Sequence, residues 1–92
     1  MAILMISDAS TDTVAHYDEL IRELEGAGQG NPAGRLHHVT ALKGDGFVIV
    51  DVWESQEDFE RFGQILGPIM QQVGSPPVPL EFYPVHNMIN GA

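Results

Sequence analysis

The chain has no cysteine and few basic residues. With no thiol among its 92 residues, disulfide bonds, thiolate nucleophiles and zinc–thiolate sites are excluded. Only 4 basic residues stand against 13 acidic ones, and the formal net charge is −9. A surface of that sign repels phosphate backbones and anionic lipid headgroups. Nucleic acid and membrane surfaces are therefore not expected as partners of this acidic protein.

Long apolar runs are also missing. The opening MAILMISDAS has no basic segment and too short an apolar stretch for a signal peptide, and no later stretch is long enough to span a bilayer. With the lack of cysteine, this predicts a cytoplasmic protein. The 43% apolar content, without low-complexity tails, indicates a single globular domain over residues 1–92. A chain this short buries only about 60% of its unfolded surface, which favours self-association.

The first third of the chain predicts a strand followed by a helix. Residues 2–6 are wholly apolar and run into turn-forming residues, as in a strand covered on both faces. Ser10 or Thr11 is expected to cap the helix, which Gly26 and Gly28 would end. Its apolar residues recur at steps of three and four, as an amphipathic helix requires: Val14, Tyr17, Ile21 and Leu24.

A formal dinucleotide-binding pattern, G-x-G-x-x-A, occupies residues 28–33 in the loop that follows. In a genuine site this pattern leaves a strand and opens a helix, so that helix N-terminal amides meet the pyrophosphate. Here it leaves a helix and contains Pro32 before a strand. No nucleotide cofactor is expected, and no other cofactor is indicated.

Two β-rich runs, RLHHVTALK and GFVIVDVWE, meet at Lys43-Gly44-Asp45-Gly46. These residues strongly favour a β-hairpin turn. A two-residue turn fits at Gly44-Asp45 or at Asp45-Gly46, and both registers give the same two faces. One face would hold Leu36, His38, Thr40, Leu42, Phe47, Ile49, Asp51 and Trp53. The other would hold Arg35, His37, Val39, Ala41, Val48, Val50 and Val52.

The last third predicts a helix and a final strand. Ser55 can cap a helix whose acidic first turn suits the positive end of the helix dipole, and Gly67-Pro68 is expected to kink or restart it. Its apolar stripe is Phe59, Phe62, Leu66, Ile69 and Val73. A strand over residues 80–87 follows, where Pro84 favours an edge position.

The predicted order is therefore βαββαβ. This is the ferredoxin-like α+β pattern, an antiparallel four-stranded sheet with two helices on one face. Both faces of the hairpin are apolar, yet the helices cover only one of them. A second copy of the sheet is the simplest cover, which predicts a homodimer through the sheet face.

The run Val52-Trp53-Glu54-Ser55, followed by acidic residues and Phe59, resembles the strand-to-helix junction of the dimeric α+β barrel superfamily, especially its antibiotic-biosynthesis-monooxygenase-like branch. The closing residues 83–87 resemble the tail of small superfamily members of unassigned function. The resemblance implies a cavity between helices and sheet in each subunit. It places His38, Ile49, Asp51 and Trp53 on the cavity side and the valine face against the partner.

Two departures from that branch bear on activity. Its cofactor-free quinone-forming monooxygenases carry an asparagine and a tyrosine where this chain has Ile49 and Phe59, and neither of these can hydrogen-bond a phenol. Haem-degrading relatives use a tryptophan at the apparent position of Phe62 and a histidine on the same helix, which here has none. Both activities are disfavoured in their known form.

The chemistry-bearing candidates are His38 and Asp51, which a turn at Gly44-Asp45 would pair across the hairpin. His38 would serve as a general base or hydrogen-bond donor, and Asp51 as its orienting partner. The structural interpretation is that the two side chains only satisfy each other's hydrogen-bonding groups inside a small core. Trp53 is expected first as a core residue and second as a stacking wall of the ligand site. Tyr17, Phe59 and His86 are expected as lesser lining.

A metal site is not expected, because His37 and His38 are adjacent in a strand and point to opposite faces. Two functions follow from these residues. The first is a homodimer that binds an apolar or aromatic metabolite, with cofactor-free oxygenation or isomerisation as the chemistry. The alternative is a non-catalytic dimerisation or ligand-sensing module. An open cavity of roughly 300 Å³ that reaches His38 or Asp51 would favour the first.

Overall fold

The protein has a four-stranded antiparallel sheet covered on one face by two helices. The structure, a computed structural model, describes residues 1–91. The elements follow the order β1 (Ile3–Ala9), α1 (Val14–Gly26), β2 (Arg35–Lys43), β3 (Gly46–Trp53), α2 (Gln56–Val73) and β4 (Leu80–Pro84). The sheet order is β2-β3-β1-β4. This confirms the ferredoxin-like βαββαβ prediction, including the edge position of β4.

Local signals explain where the helices begin and end. Ser55 caps α2 by accepting a hydrogen bond from the Asp58 backbone N–H at 3.2 Å. Helix α1 is capped by Thr13, not by Ser10 or Thr11, because β1 continues to Ala9 and delays the helix. Helix α2 runs without interruption past Pro68, so the predicted restart was wrong. It ends at Gly74, whose φ of 85° suits glycine.

Strand bounds differ from prediction where backbone pairing overrides local preference. Strand β1 extends three residues beyond Ile6, because Ser7, Asp8 and Ala9 pair with β3 up to Ala9 opposite Phe47. Strand β4 stops at Pro84, so its predicted continuation to Asn87 was wrong. One further bond, from the Val85 N–H to the Ala2 carbonyl at 2.9 Å, closes that end.

The hairpin turn lies at Gly44-Asp45, with Lys43 opposite Gly46. Gly44 has φ 60°, as the first residue of a type II′ turn requires. This register sets His38 directly opposite Asp51. A bulge between Arg35 and His37 then shifts the start of β2, and Arg35 comes opposite Trp53. The predicted faces therefore hold from His37 onward, but Arg35 joins the helix-covered face.

The core lies between that face and the helices. It consists of Met5, Leu20, Leu24, Trp53 and Phe62, with Phe59 and Phe82 packed against it. Trp53 is fully buried, and its ring centroid lies 5.6 Å from that of Phe59 and 5.5 Å from that of Phe62. Within residues 1–91, no helix is long and apolar enough to cross a membrane.

Candidate functional site

A polar cluster stands on the helix-covered face of the hairpin, centred on His38. Its Nδ1 lies 2.6 Å from Asp51 Oδ1, and its Nε2 lies 2.7 Å from the Tyr17 hydroxyl oxygen. Thr40 Oγ1 is 3.2 Å from the same Nε2. The side chain of Asp51 is 5% exposed and that of His38 21% exposed. The cross-strand pair predicted from the hairpin is thus formed, at the edge of the core.

Hydrogen-bond chemistry decides which nitrogen of His38 carries the proton. An ionised carboxylate can only accept, so Nδ1 donates to Asp51. In the neutral imidazole the Nε2 lone pair then faces Tyr17 and accepts the proton of its hydroxyl. The two ring planes are 5° apart with centroids separated by 6.1 Å. These values fit an in-plane hydrogen bond rather than face-to-face stacking.

Asp51 also holds the core tryptophan. The Trp53 indole Nε1–H donates to Asp51 Oδ2 at 3.2 Å, while Oδ1 is taken by His38. Asp51 therefore has both oxygens occupied by side-chain donors. A buried carboxylate is costly unless it is paired and hydrogen-bonded, and these two donors meet that need. Asp51 joins the site to the core.

An apolar cavity of about 300 Å³ lies between the sheet and the helices. Tyr17, His38 and Asp51 form its polar side, and Arg35 lies on its wall. Asp12 and Ser75 contribute further polar atoms from the loops that flank the helices. The apolar walls include Leu20, Ile21, Ile49, Phe59, Phe62 and Leu66. A cavity of this size and lining is of the kind that holds a small apolar molecule.

A second hollow of about 330 Å³ adjoins the first. The two share Tyr17, Ile21, Leu24, Arg35 and His38. The second hollow is completed by residues that lie at the end of α1 and in the following loop, namely Glu25, Gln29 and Gly30. The Tyr17–His38 hydrogen bond therefore lies where the hollows meet.

The predicted site residues do not all reach this cavity. Tyr17, His38, Asp51 and Phe59 line it. Trp53 lies behind the cavity wall, fully buried among core aromatics. Its link to the polar cluster is the hydrogen bond to Asp51. His86 is exposed beyond the end of β4 and lies outside the lining set. Among the described residues, no group of three or more His, Asp or Glu side chains is positioned to hold a metal ion.

Sequence reasoning missed two contributors. Arg35 was placed on the opposite face, because the alternation of a strand does not reveal a bulge. Tyr17 was expected only as lining, although its hydroxyl bonds to His38 across 21 residues of sequence. Its position on the apolar stripe of α1 was the available signal, since a buried tyrosine hydroxyl usually finds a partner.

Asp12 forms a second polar group at another part of the cavity wall. Its Oδ1 lies 2.6 Å from His16 Nδ1 and 2.8 Å from the Thr13 backbone N–H. Burial alone would raise the pKa of Asp12, but hydrogen bonds from His16 and Thr13 outweigh it and hold the pKa below the ordinary 3.8. The buried Ser75 hydroxyl adds to this effect, although it has no partner in full hydrogen-bond geometry.

Solved structures of other proteins share this ferredoxin-like α+β fold. A "putative antibiotic biosynthesis monooxygenase" from Deinococcus radiodurans is 16% identical with a TM-score of 0.61, covering 100% of this chain and 99% of that one. Rv0793 from Mycobacterium tuberculosis is 16% identical with a TM-score of 0.66, covering 98% and 100%. A second protein with the same description, from Caulobacter crescentus CB15, is 11% identical with a TM-score of 0.60, covering 94% and 89%.

No family model matches the sequence, and the comparison with curated proteins finds no match. At these identities the shared property is the fold. The chain is therefore a small α+β protein that is similar in fold to these solved structures.

Proposed function

We propose that the protein binds a small apolar or aromatic molecule in the cavity and moves a proton on it through Tyr17 and His38. The observation that carries this proposal is the cavity of about 300 Å³ whose polar side is a Tyr17–His38–Asp51 hydrogen-bond chain. Its apolar walls supply binding, and the polar chain supplies a proton acceptor. No cofactor is invoked.

The order of residues in this hydrogen-bond chain assigns a role to each of them. Tyr17 donates its proton to His38, so the phenolic oxygen retains lone pairs that can accept from a ligand O–H or acidic C–H. As the phenolic oxygen takes the ligand's proton, the proton of the Tyr17 hydroxyl passes to His38 Nε2, the ligand keeps the electron pair, and Asp51 stabilises the resulting imidazolium. His38 is thus the base and Asp51 its positioning partner. Proton abstraction of this kind is the first step of an isomerisation, and of cofactor-free oxygenation of an electron-rich aromatic.

A test uses 2-tetralone, a bicyclic ketone whose C1 hydrogens exchange with solvent deuterium once its enol forms. Proton NMR would follow loss of the C1 signal with the wild-type chain, Tyr17→Phe and His38→Gln. The wild type should accelerate exchange, and each variant should lose most of that acceleration, because general-base catalysis typically contributes about 10²–10⁴-fold. If the ketone binds but exchanges no faster than in buffer, the catalytic role is wrong.

A non-catalytic ligand-sensing module is the second candidate, and one observation favours it. Asp51 has donors on both oxygens, one of them the core Trp53 indole, and His38 has partners on both nitrogens. Such a network can serve stability alone. Binding of the ketone without exchange would select this function.

We also propose that the open face of the sheet pairs with a second copy. That face carries Val39 and Tyr83, which are 59% and 50% exposed, around the partly buried Leu4, Ile6, Val48 and Val50. Exposed apolar surface of this kind is typical of a protein interface. A two-fold pair of sheets would cover it with a single self-complementary contact.

A further inference from the structure

Arg35 reaches the cavity only because β2 is irregular at its start. Strand alternation would put this side chain on the open face with Val39. The bulge between Arg35 and His37 places it opposite Trp53 instead, on the helix-covered side. There it lines both hollows and lies beside Tyr17 and His38.

The positive charge of Arg35 has no carboxylate partner among residues 1–91. The other three basic side chains are each ion-paired at the surface: Arg22 with Glu19, Lys43 with Asp8 at 2.6 Å, and Arg61 with Asp58 at 2.9 Å. Arg35 donates to the Gly30 carbonyl oxygen at 3.1 Å. A guanidinium has five N–H donors, so most of its capacity remains. Among the Lys and Arg side chains of residues 1–91, the one without a carboxylate partner is therefore at the cavity.

The carboxylates on the cavity wall leave this cation available. Asp51 is bonded to His38 and Trp53, and Asp12 is bonded to His16 and the Thr13 N–H. Glu25 lines the second hollow with Arg35 but does not come within ion-pair distance of it. An ionised group on a ligand is therefore the partner that the guanidinium fork can still take.

We propose that Arg35 binds a carboxylate on the apolar or aromatic ligand and so selects acids over neutral molecules of the same shape. This inference rests on the proposed function, since it requires the cavity to be a ligand site. The planar guanidinium matches a carboxylate with two parallel hydrogen bonds. The ligand then lies with its apolar body against the helices and its acid group where the hollows meet, beside the Tyr17 hydroxyl.

Isothermal titration calorimetry at pH 7 with naphthalene-2-carboxylate and naphthalene-2-carboxamide tests the proposal, because the two differ in charge and hardly in shape. The wild-type chain should bind the carboxylate about tenfold more tightly, as a charge-assisted pair allows. Arg35→Gln should remove that preference and leave carboxamide affinity within about twofold. Arg35→Lys should keep part of the preference, since it retains the charge without the fork.

Two further variants make the outcomes separable. Arg61→Gln makes the same charge change at a surface ion pair and should leave the preference intact. Gly63→Leu should weaken both compounds, because Gly63 lines the cavity and a Cβ there meets no atom within 4 Å. Weaker binding of both compounds to Arg35→Gln would show that Arg35 only anchors the Gly30 loop, and the proposal would fail.

The remaining outcomes distinguish this inference from the proposed function. Equal affinity of the wild type for both compounds overturns the assignment of Arg35 and leaves the cavity as a ligand site. Absence of binding by either compound, or binding that Gly63→Leu does not weaken, overturns the cavity as the ligand site, and the role of Arg35 falls with it.

Discussion

Asp51 is a carboxylate in the middle of an apolar strand, and its two oxygens explain why the strand tolerates it. Each oxygen accepts from one side chain, the His38 imidazole on one side and the Trp53 indole on the other. A residue that satisfies two buried donors at once cannot be replaced by one with a single acceptor without leaving a donor unpaired.

Asp51→Asn should therefore lower the free energy of unfolding by about 1.5–3 kcal/mol, because the amide has only one acceptor oxygen for two donors. Urea denaturation followed by tryptophan fluorescence would measure it. Asp45→Asn, in the exposed hairpin turn, makes the same change without buried partners and should stay within about 0.5 kcal/mol of the wild type. Equal stability of the two variants would contradict the bridging role of Asp51.

The acid stability of the protein should depend on Asp12. Its folded-state pKa lies below the ordinary value, so its ionised form contributes stability above the unfolded-state pKa, and this contribution is lost as pH falls through the folded-state value. The free energy of unfolding should decline as pH is lowered from about 5 towards 2. Asp12→Asn should be less stable at pH 7 and show a shallower decline.

Denaturation midpoints measured at pH steps across this range would check the Asp12 prediction. Asp45→Asn is again the control, because an exposed turn carboxylate makes no buried contacts. A decline as steep in Asp12→Asn as in the wild type would assign the acid sensitivity to other carboxylates, among them Asp8, whose hydrogen bond with Lys43 lowers its pKa to about 2.

At the residue scale, strand alternation predicted that His38 and Asp51 share a face, and that they pair directly if the turn lies at Gly44-Asp45. The structure has that turn and that pair. The sequence did not predict that Tyr17 would bond to His38, since the distance between a helix and a sheet depends on packing. Nor did it place Trp53 behind the cavity wall. Its indole faces the core because Phe59 and Phe62 close over it.

At the scale of elements, Gly63 and Gly46 differ in the space that is available for an added side chain. Gly63 lies in the middle of α2 with no atom within 4 Å of an added Cβ. Gly46 begins β3, and a Cβ there would come within 2.7 Å of the Ser10 carbonyl oxygen and closer still to that of Ala9. The first position tolerates a larger residue and the second does not.

Gly63→Ala should raise the free energy of unfolding by up to about 1 kcal/mol, because alanine favours the helix and meets no obstacle. Gly46→Ala should lower it by more than about 1 kcal/mol, since the hairpin must move away from the β1–α1 turn. Thermal unfolding of both variants would test this pair. A destabilised Gly63→Ala would mean that α2 packs more closely over the cavity than the structure shows.

The type and order of the elements agree with the prediction, whereas several of their first and last residues differ from it. Strand β1 lengthened through residues that favour turns, because pairing with β3 supplies hydrogen bonds that a turn would not. Helix α2 passed through Pro68 because tertiary contacts of its apolar face hold the turns on both sides. The bulge in β2 had no sequence signal and changed the face of Arg35.

At the scale of the whole molecule, the open sheet face is the feature without a cover in a single chain. Val39 lies opposite Val50 at its centre. Leu42 lies opposite Phe47, on the other face of the same strand. These two positions allow one chemical change to be made on either side of the sheet.

Sedimentation at micromolar concentration should show a dimer for the wild type and a monomer for Val39→Glu, which would bury an unpaired charge in the proposed interface. Leu42→Glu introduces the same charge at another exposed apolar residue, on the opposite face of the sheet, and this variant should remain dimeric. Added salt should strengthen association, since both copies carry a formal charge of −9. A wild-type chain that sediments as a 10.0 kDa particle would contradict the dimer.

The sequence by itself determined the order of strands and helices and the shared hairpin face of His38 and Asp51. These depend on periodicity, capping and turn residues, which act over a few neighbouring positions. Only the tertiary structure decided the volume of the cavity, the bond from Tyr17 to His38 and the presence of Arg35 at the site. These depend on how closely a helix approaches the sheet and on one extra residue in a strand, and both are outcomes of packing the whole chain at once.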